Sequence, residues 1–269
     1  MNIRELKKIC QKNDDEIFIT DKLIFRKLSI YVTKIFIIFN ISANGATLLS
    51  LVCALIGSLL LMSNSSIKIL IAFIFVFLYW VLDYVDGELA RYNIFNGKQK
   101  PSLQGEYFDY LVHFFSTNIM FICIGYSSYV LYDNKLFYIL GVISGIGISN
   151  FPNLVASMII VKNINKKSKL NDEQKQVISE LDDGQKGKET ILNNNKINKF
   201  IQFMKEILLF PGCLNMIMIV SLLDGIFNNR SIILGYNFRT IYLIIFSMIM
   251  LLNTIRKSVF WIKKMKNIS

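Results

Sequence analysis

Four residues that can bind a metal ion or move a proton lie close together in an apolar part of the chain. Asp83 and Asp86 are three positions apart, and after a hydrophilic stretch Asp109 and His113 are four positions apart. Side chains at these spacings share one face of an α-helix. If two adjacent antiparallel helices carry the two pairs, all four side chains reach a similar depth. The sequence therefore predicts one polar cluster built from two helices.

This cluster needs a counter-charge, because a carboxylate inside a membrane costs about 2.5–3.5 kcal/mol on insertion scales. Oxygen ligands favour Mg²⁺ or Mn²⁺ over zinc, and Mg²⁺ commonly bridges carboxylates to phosphates. Gly87 and Ala90 leave room for a ligand beside the first helix, and Arg91 offers a planar fork of donors suited to phosphate. We therefore predict a divalent metal site with a phosphate ester as its ligand.

Each of these residues also has an ordinary interpretation when taken alone. The acids can lie at a membrane interface, the glycine can serve packing, and the arginine can extend towards water. His113, which is the only histidine of the chain, is a candidate general base or metal ligand. It is also a candidate for plain packing or hydrogen bonding within the bundle.

The composition indicates the kind of protein that positions the cluster. The 269 residues are 53% hydrophobic with a net charge of +11, and the mean hydropathy is +0.45. Such a chain fits a membrane better than water. Its basic residues alternate with long apolar runs, which is not the pattern of a nucleic-acid-binding face. The four cysteines show no paired spacing, so neither a disulfide framework nor a zinc site is predicted.

The apolar runs predict an all-α, polytopic membrane bundle of six transmembrane helices. An N-terminal cytoplasmic and interfacial segment covers residues 1–45, and residues 46–161 hold the first four crossings with the motif. A cytoplasmic linker covers 162–200, and residues 201–269 hold the last two crossings and a tail. The predicted crossings are Ala46–Met62, Lys68–Tyr84, Gly105–Leu131, Phe137–Val161, Ile207–Phe227 and Ile233–Ile255.

The basic residues predict the orientation. Of the 30 Lys and Arg residues, 26 fall on the face that carries both termini, which the positive-inside rule makes cytoplasmic. Lys68, Lys135, Arg230 and Arg239 are assigned to short turns on the other face. Before the first crossing, apolar residues recur at helical spacing among basic ones, which predicts an interfacial amphipathic helix. Its apolar residues are Leu23, Leu28, Tyr31, Val32 and Phe36.

The motif resembles the signature of the CDP-alcohol phosphatidyltransferase family, in which two aspartates, a glycine, an alanine and an arginine precede a glycine and two further aspartates. Seven of the eight signature residues agree: Asp83, Asp86, Gly87, Ala90, Arg91, Gly105 and Asp109. Asn44 and Thr47, at the start of the first crossing, are similar to a second and weaker family stretch that carries a proline absent here.

The chain departs from the signature at two places. Thirteen residues separate Arg91 from Gly105, where the family pattern has eight, so the cytoplasmic loop gains five residues at little cost. The last signature aspartate, a metal ligand and base in the family, is replaced by His113.

The resemblance implies transfer of a phosphatidyl or phosphoalcohol group from a CDP-linked donor to a hydroxyl acceptor, with release of CMP, in phospholipid or related lipid biosynthesis. It implies two Mg²⁺ or Mn²⁺ ions, with Asp83 and Asp109 as bridging ligands and Asp86 completing one site. His113 would lie near the acceptor, as ligand or base. The nucleotide and phosphate would contact the remaining candidates: Asn44, Thr47, Gly87, Ala90, Arg91 and Gly105.

Location and partners follow from the same likeness and from composition. The chain is expected in a bacterial cytoplasmic membrane with its active site facing the cytoplasm, in contact with membrane lipid and as a homodimer. Two rival functions stay open: an ion or solute transporter, and a catalytically altered relative that binds CDP ligands. The acids cluster on the cytoplasmic side, which favours an enzyme that uses cytosolic nucleotide over a transport path.

Overall fold

The computed structural model describes residues 2–11, 24–100, 103–148, 212–229 and 235–268. These ranges are helical and contain no β-strand, which confirms the all-α class. The helices are α1 (Ile3–Cys10), α2 (Arg26–Ile38), α3 (Ala43–Leu61), α4 (Ser66–Phe95), α5 (Leu103–Tyr132), α6 (Lys135–Ile148), α7 (Gly212–Ile226) and α8 (Phe238–Ile268).

Four of these helices are long and apolar enough to cross a membrane, namely α3, α4, α5 and α8. The protein is therefore an integral membrane protein. Two further predicted crossings contain the shorter apolar helices α6 and α7, each of which adjoins residues outside the described ranges, so the count of six stays a prediction. The predicted linker at 162–200 lies outside the described residues as well.

Two helices precede the first crossing. Helix α1 was not predicted, and the Glu5 carboxylate accepts a hydrogen bond from the Asn2 backbone N–H at 3.2 Å at its first turn. Helix α2 covers most of the predicted interfacial segment, although Leu28 and Tyr31 are exposed and its buried face includes the polar Ser29. Its placement at a lipid interface stays a prediction.

The turn from α2 to α3 is built by local polar contacts. Asn40 adopts a left-handed conformation with φ of 54°, which asparagine tolerates better than most residues. Ser42 then caps α3, since its hydroxyl oxygen accepts the backbone N–H of Gly45 at 3.1 Å. These contacts set where α3 begins and thus place its first turn beside α4.

A buried ion pair joins the last two helices. Asp224 in α7 and Arg239 in α8 meet at 2.9 Å, and both are almost wholly buried. Arg239 also donates to the Leu61 carbonyl at the end of α3, at 2.9 Å, and Asp224 accepts the backbone N–H of Phe238 at 2.8 Å. Arg239, which was assigned to a short turn on the outer face, lies in the first turn of α8, and its charge is satisfied inside the bundle; the side of the membrane stays a prediction.

We expect Arg239→Ala to lower the free energy of unfolding by about 3–5 kcal/mol, because it leaves the Asp224 carboxylate buried without its cation. Arg256→Ala removes an exposed arginine of the same helix and should have little effect. Unfolding in mixed detergent micelles measures the free energy of unfolding of both variants. An equal, small loss in the two would show that the pair contributes little to stability.

Candidate active site

Helices α4 and α5 carry the two halves of the predicted cluster. Asp83 and Asp86 lie in the second half of α4, and Asp109 and His113 lie in the first half of α5. Helix α3 packs against both α4 and α5. The two consecutive helices thus bring their polar residues together beside a third, apolar helix.

Three of the four predicted side chains meet closely. His113 Nε2 lies 2.9 Å from Asp83 Oδ1 and 3.4 Å from Asp109 Oδ1. One ligand atom from each of these three residues lies within 4.8 Å of the other two. The Asp109 side chain is 39% exposed and that of Asp83 16%, so the cluster is open mainly on the Asp109 side. We call these three residues the α4–α5 cluster.

The second ring nitrogen of His113 also has a partner. His113 Nδ1 and the Tyr79 hydroxyl are hydrogen-bonded at 2.9 Å, and Tyr79 is completely buried. The sequence analysis missed Tyr79. A signal was present, because Tyr79 precedes Asp83 by four positions and therefore shares its face of α4.

Asp86 lies outside the α4–α5 cluster and faces α3. Its Oδ2 accepts a hydrogen bond from the Thr47 hydroxyl at 2.7 Å, and both side chains are buried. Thr47, proposed from sequence as a nucleotide contact, thus directly holds an aspartate of the signature. Asn44 lies one turn earlier in α3 and is exposed. The roles of both residues towards a nucleotide stay predictions.

Of the small residues of the motif, Gly87 lies against Arg91. The Arg91 Nε donates a hydrogen bond to the Cys10 carbonyl of α1, and a methyl group added at Gly87 would lie 3.2 Å from Arg91 Nη1. Gly87 therefore leaves space for the guanidinium group. Ala90 packs at the edge of the apolar core, and Gly105 is half-buried in the first turn of α5.

A buried glutamate next to the motif links the N-terminal helices to α4. Glu88 is 1% exposed, and its carboxylate accepts hydrogen bonds from Gln11 at 2.7 Å, Ser29 at 2.7 Å and Thr33 at 2.6 Å. Burial, together with the nearby Glu88 charge, raises the pKa of the Cys10 thiol to about 11, so this cysteine stays protonated at neutral pH. The hydrogen bonds from Gln11 to Glu88 and from Arg91 to the Cys10 carbonyl hold the end of α1 against the end of α4 that carries Arg91.

The connection between Arg91 and Gly105 begins in helical conformation. Helix α4 continues beyond Arg91 to Phe95, and Gly97, two residues further on, has a φ of +67°. The Gly97 N–H donates to the Ile94 carbonyl at 3.0 Å, and Lys98 N–H donates to the Asn93 carbonyl at 2.9 Å. Glycine suits this left-handed helix end.

The α4–α5 cluster fits a divalent cation. It offers two carboxylates and one imidazole within a single cation's reach, a donor set that suits several divalent metals. Asp109 Oδ1 is buried, and none of the described residues donates a hydrogen bond to it. Its contact with His113 is an ion pair with a separation of 3.4 Å. A buried acceptor of this kind is costly unless a ligand satisfies it.

A bundle of apolar helices with this cluster between two of them defines a polytopic membrane protein with a candidate metal centre. Comparison with protein families identifies the class further. The profile described as CDP-alcohol phosphatidyltransferase matches residues 40–225, and this range contains every site residue predicted from the sequence. The chain belongs to the CDP-alcohol phosphatidyltransferase family. A search of curated proteins finds no match.

Membership of this family implies the general activity of the protein. The members of the family are membrane transferases of phosphate-containing groups, and they act in phospholipid biosynthesis. It acts on CDP-alcohol donors and hydroxyl acceptors, and it uses divalent metal ions. The α4–α5 cluster is the place in the described structure where such an ion fits.

Proposed function

We propose that this protein transfers a phosphatidyl or phosphoalcohol group from a CDP-linked donor to an acceptor hydroxyl, with release of CMP, at the cytoplasmic face of a bacterial membrane. The observation that supports this function is the α4–α5 cluster, where Asp83, Asp109 and His113 meet within 4.8 Å. The family signature predicts metal and phosphate chemistry at these same positions. A transporter has no comparable support.

The proposed step is a displacement at phosphorus. The acceptor oxygen forms a bond to the phosphorus that carries the alcohol, and the bond from that phosphorus to the bridging pyrophosphate oxygen breaks. CMP leaves with that oxygen and the bonding electrons. The acceptor proton passes to a basic group of the cluster, either His113 or a carboxylate. Positioning and charge stabilisation dominate such reactions.

The residues of the cluster would hold two Mg²⁺ or Mn²⁺ ions, which would supply charge stabilisation for the pyrophosphate and the departing CMP. We assign Asp83 and Asp109 as the residues that would hold both ions. Asp86 completes one site, and its hydrogen bond from Thr47 fixes its carboxylate orientation. His113 acts on the acceptor side.

The nucleotide is proposed to lie against the C-terminal third of α4. Gly87 gives the Arg91 guanidinium room there, and Arg91 provides a phosphate donor. Ala90 is assigned to the nucleotide side by the family signature. The present bond of Arg91 to the Cys10 carbonyl uses Nε, which leaves the terminal nitrogens as the candidate phosphate donors. Asn44 and Gly105 complete the proposed nucleotide side.

The orientation rests on charge. In the predicted topology the segments on the face that carries both termini hold 26 of the 30 basic residues, which by the positive-inside rule supports a cytoplasmic position for the cluster. A cytosolic CDP-linked donor then reaches the site directly. From family likeness we also propose that the protein forms a homodimer.

The test is a screen of purified protein in lipid vesicles, with radiolabelled CDP-diacylglycerol and a set of CDP-alcohols offered against pools of hydroxyl acceptors. Metal-dependent release of CMP, together with a new phosphodiester product, is the expected result. An inactive Asp109→Asn variant provides the background rate.

His113 favours a second candidate function, a relative that binds CDP ligands without turnover, because it replaces the signature aspartate assigned as base. The same protein then binds CMP with divalent metal, as isothermal titration would show, and yields no product with any acceptor. Observed turnover rules this candidate out.

A further inference from the structure

The His113 ring has polar partners on both nitrogens. Nδ1 is hydrogen-bonded to the Tyr79 hydroxyl at 2.9 Å, whereas Nε2 faces Asp83 at 2.9 Å and Asp109 at 3.4 Å. Trp80 also lies against the ring, with an edge contact at a centroid distance of 6.4 Å. These contacts fix which nitrogen points into the cluster.

We infer that Tyr79 is a positioning residue that holds the His113 ring through Nδ1, so that Nε2 serves as a nitrogen ligand to a divalent cation shared with Asp83 and Asp109. The inference rests on the proposed metal site and decides between the two roles of His113. The acceptor proton is then left to a carboxylate of the cluster.

The need for such a residue follows from the chemistry of the ligand. A carboxylate offers two equivalent oxygens, so an aspartate at this position binds a cation in either orientation of its group. An imidazole has one available lone pair, on the nitrogen that lacks a proton. The imidazole ring must therefore be oriented with that nitrogen towards the cation. A hydrogen-bond partner on the other nitrogen commonly sets both the tautomer and the orientation of the ring.

Tyr79 is suited to this task by its position. It is completely buried, and its ring lies 6.2 Å from that of Trp80, centroid to centroid. With a cation on Nε2, the Nδ1 proton is donated to the Tyr79 oxygen. The nitrogen ligand also predicts that the site binds Zn²⁺ or Fe²⁺ more tightly, relative to Mg²⁺, than a site of carboxylates alone, because imidazole suits those metals.

The experiment measures metal binding rather than turnover. Purified wild-type protein is titrated with Mn²⁺, and pulsed electron paramagnetic resonance records coupling between the bound Mn²⁺ and nitrogen. We expect nitrogen coupling in the wild type and its loss in His113→Asp. Tyr79→Phe should weaken Mn²⁺ binding by about 10–100-fold, the range that is typical for loss of a partner behind a metal ligand.

A double-mutant cycle separates positioning from general damage. Added to His113→Asp, the Tyr79→Phe change should leave Mn²⁺ affinity within about twofold, since no imidazole remains to be oriented. Tyr242→Phe is the matched control, because it removes another buried hydroxyl, one that donates to the Cys213 carbonyl at 3.2 Å. It should not alter Mn²⁺ binding.

Three results would overturn the inference. They are absence of nitrogen coupling in wild-type protein with bound Mn²⁺, unchanged Mn²⁺ affinity in Tyr79→Phe, and an equal loss from Tyr79→Phe in the two backgrounds. None of these depends on CMP release. If the protein binds Mn²⁺ through nitrogen but transfers nothing, the proposed function fails and this inference stands.

Discussion

Asp109→Asn and Asp83→Asn should each reduce CMP release by about 10³-fold or more while the protein remains folded. The reason is that an amide keeps the shape of a carboxylate but loses its charge, and several kcal/mol of charge stabilisation correspond to a rate change of this size. Removal of divalent metal with EDTA should abolish wild-type activity, and added Mn²⁺ or Mg²⁺ should restore it. The measurement is the initial rate of CMP release by purified protein in lipid vesicles.

Asp133→Asn provides the matched control for these variants. Asp133 follows the far end of α5 and is exposed, with a φ of 49° that asparagine also adopts readily. This variant should keep wild-type activity. Size-exclusion profiles and melting temperatures establish that all three variants are folded. Undiminished turnover in Asp109→Asn would remove Asp109 from the mechanism.

His113→Ala should reduce CMP release by about 10²–10⁴-fold, because it removes a group that binds metal or accepts a proton in the cluster. His113→Asp restores the residue type of the family signature and should retain activity within about tenfold of the wild type. Rates of the three proteins are compared over a range of pH and of Mn²⁺ concentration.

The Mn²⁺ series distinguishes the two roles of His113. If Nε2 is a metal ligand, raised Mn²⁺ recovers part of the activity of His113→Ala, because the defect is one of affinity. If His113 is the base, saturating Mn²⁺ leaves the loss unchanged, and the acid limb of the pH–rate profile moves to lower pH in His113→Asp. Equal activity in all three proteins would exclude both roles.

Long apolar runs predicted the membrane helices well. The segments assigned to the first three crossings all lie within α3, α4 and α5 or extend one residue past them. The end of α4 was placed at Tyr84, eleven residues early, because the sequence turns polar there. Those polar residues stay helical since partners from other elements satisfy them, as Glu88 shows with Gln11, Ser29 and Thr33. Hydropathy alone does not contain that information.

The site was predicted where spacing within one helix was sufficient. The three-residue and four-residue spacings predicted that Asp83, Asp86, Asp109 and His113 would form one cluster. The structure brings Asp83, Asp109 and His113 together, whereas Asp86 is hydrogen-bonded to Thr47 of α3. Contacts between helices were not predictable in the same way. The hydrogen bonds from Thr47 to Asp86 and between Tyr79 and His113 depend on how α3, α4 and α5 rotate about their axes.

Helix α1 was missed for a related reason. It has eight residues, too few to form a stable helix alone in water, and half of them are charged. It is held by contacts that a single-sequence pattern does not reveal, such as the bond from Arg91 to the Cys10 carbonyl and the burial of Leu6.

The buried pair of Asp224 and Arg239 has a consequence for how the chain enters the membrane. If α7 and α8 were inserted one after the other, each would carry an unpaired charge into lipid, at about 2.5–3.5 kcal/mol near the centre of the bilayer and less towards its surface. Inserted together, the two charges neutralise each other at 2.9 Å. The last two helices are therefore expected to leave the translocon as one hairpin. Arg239 then donates a hydrogen bond to the Leu61 carbonyl at the end of α3.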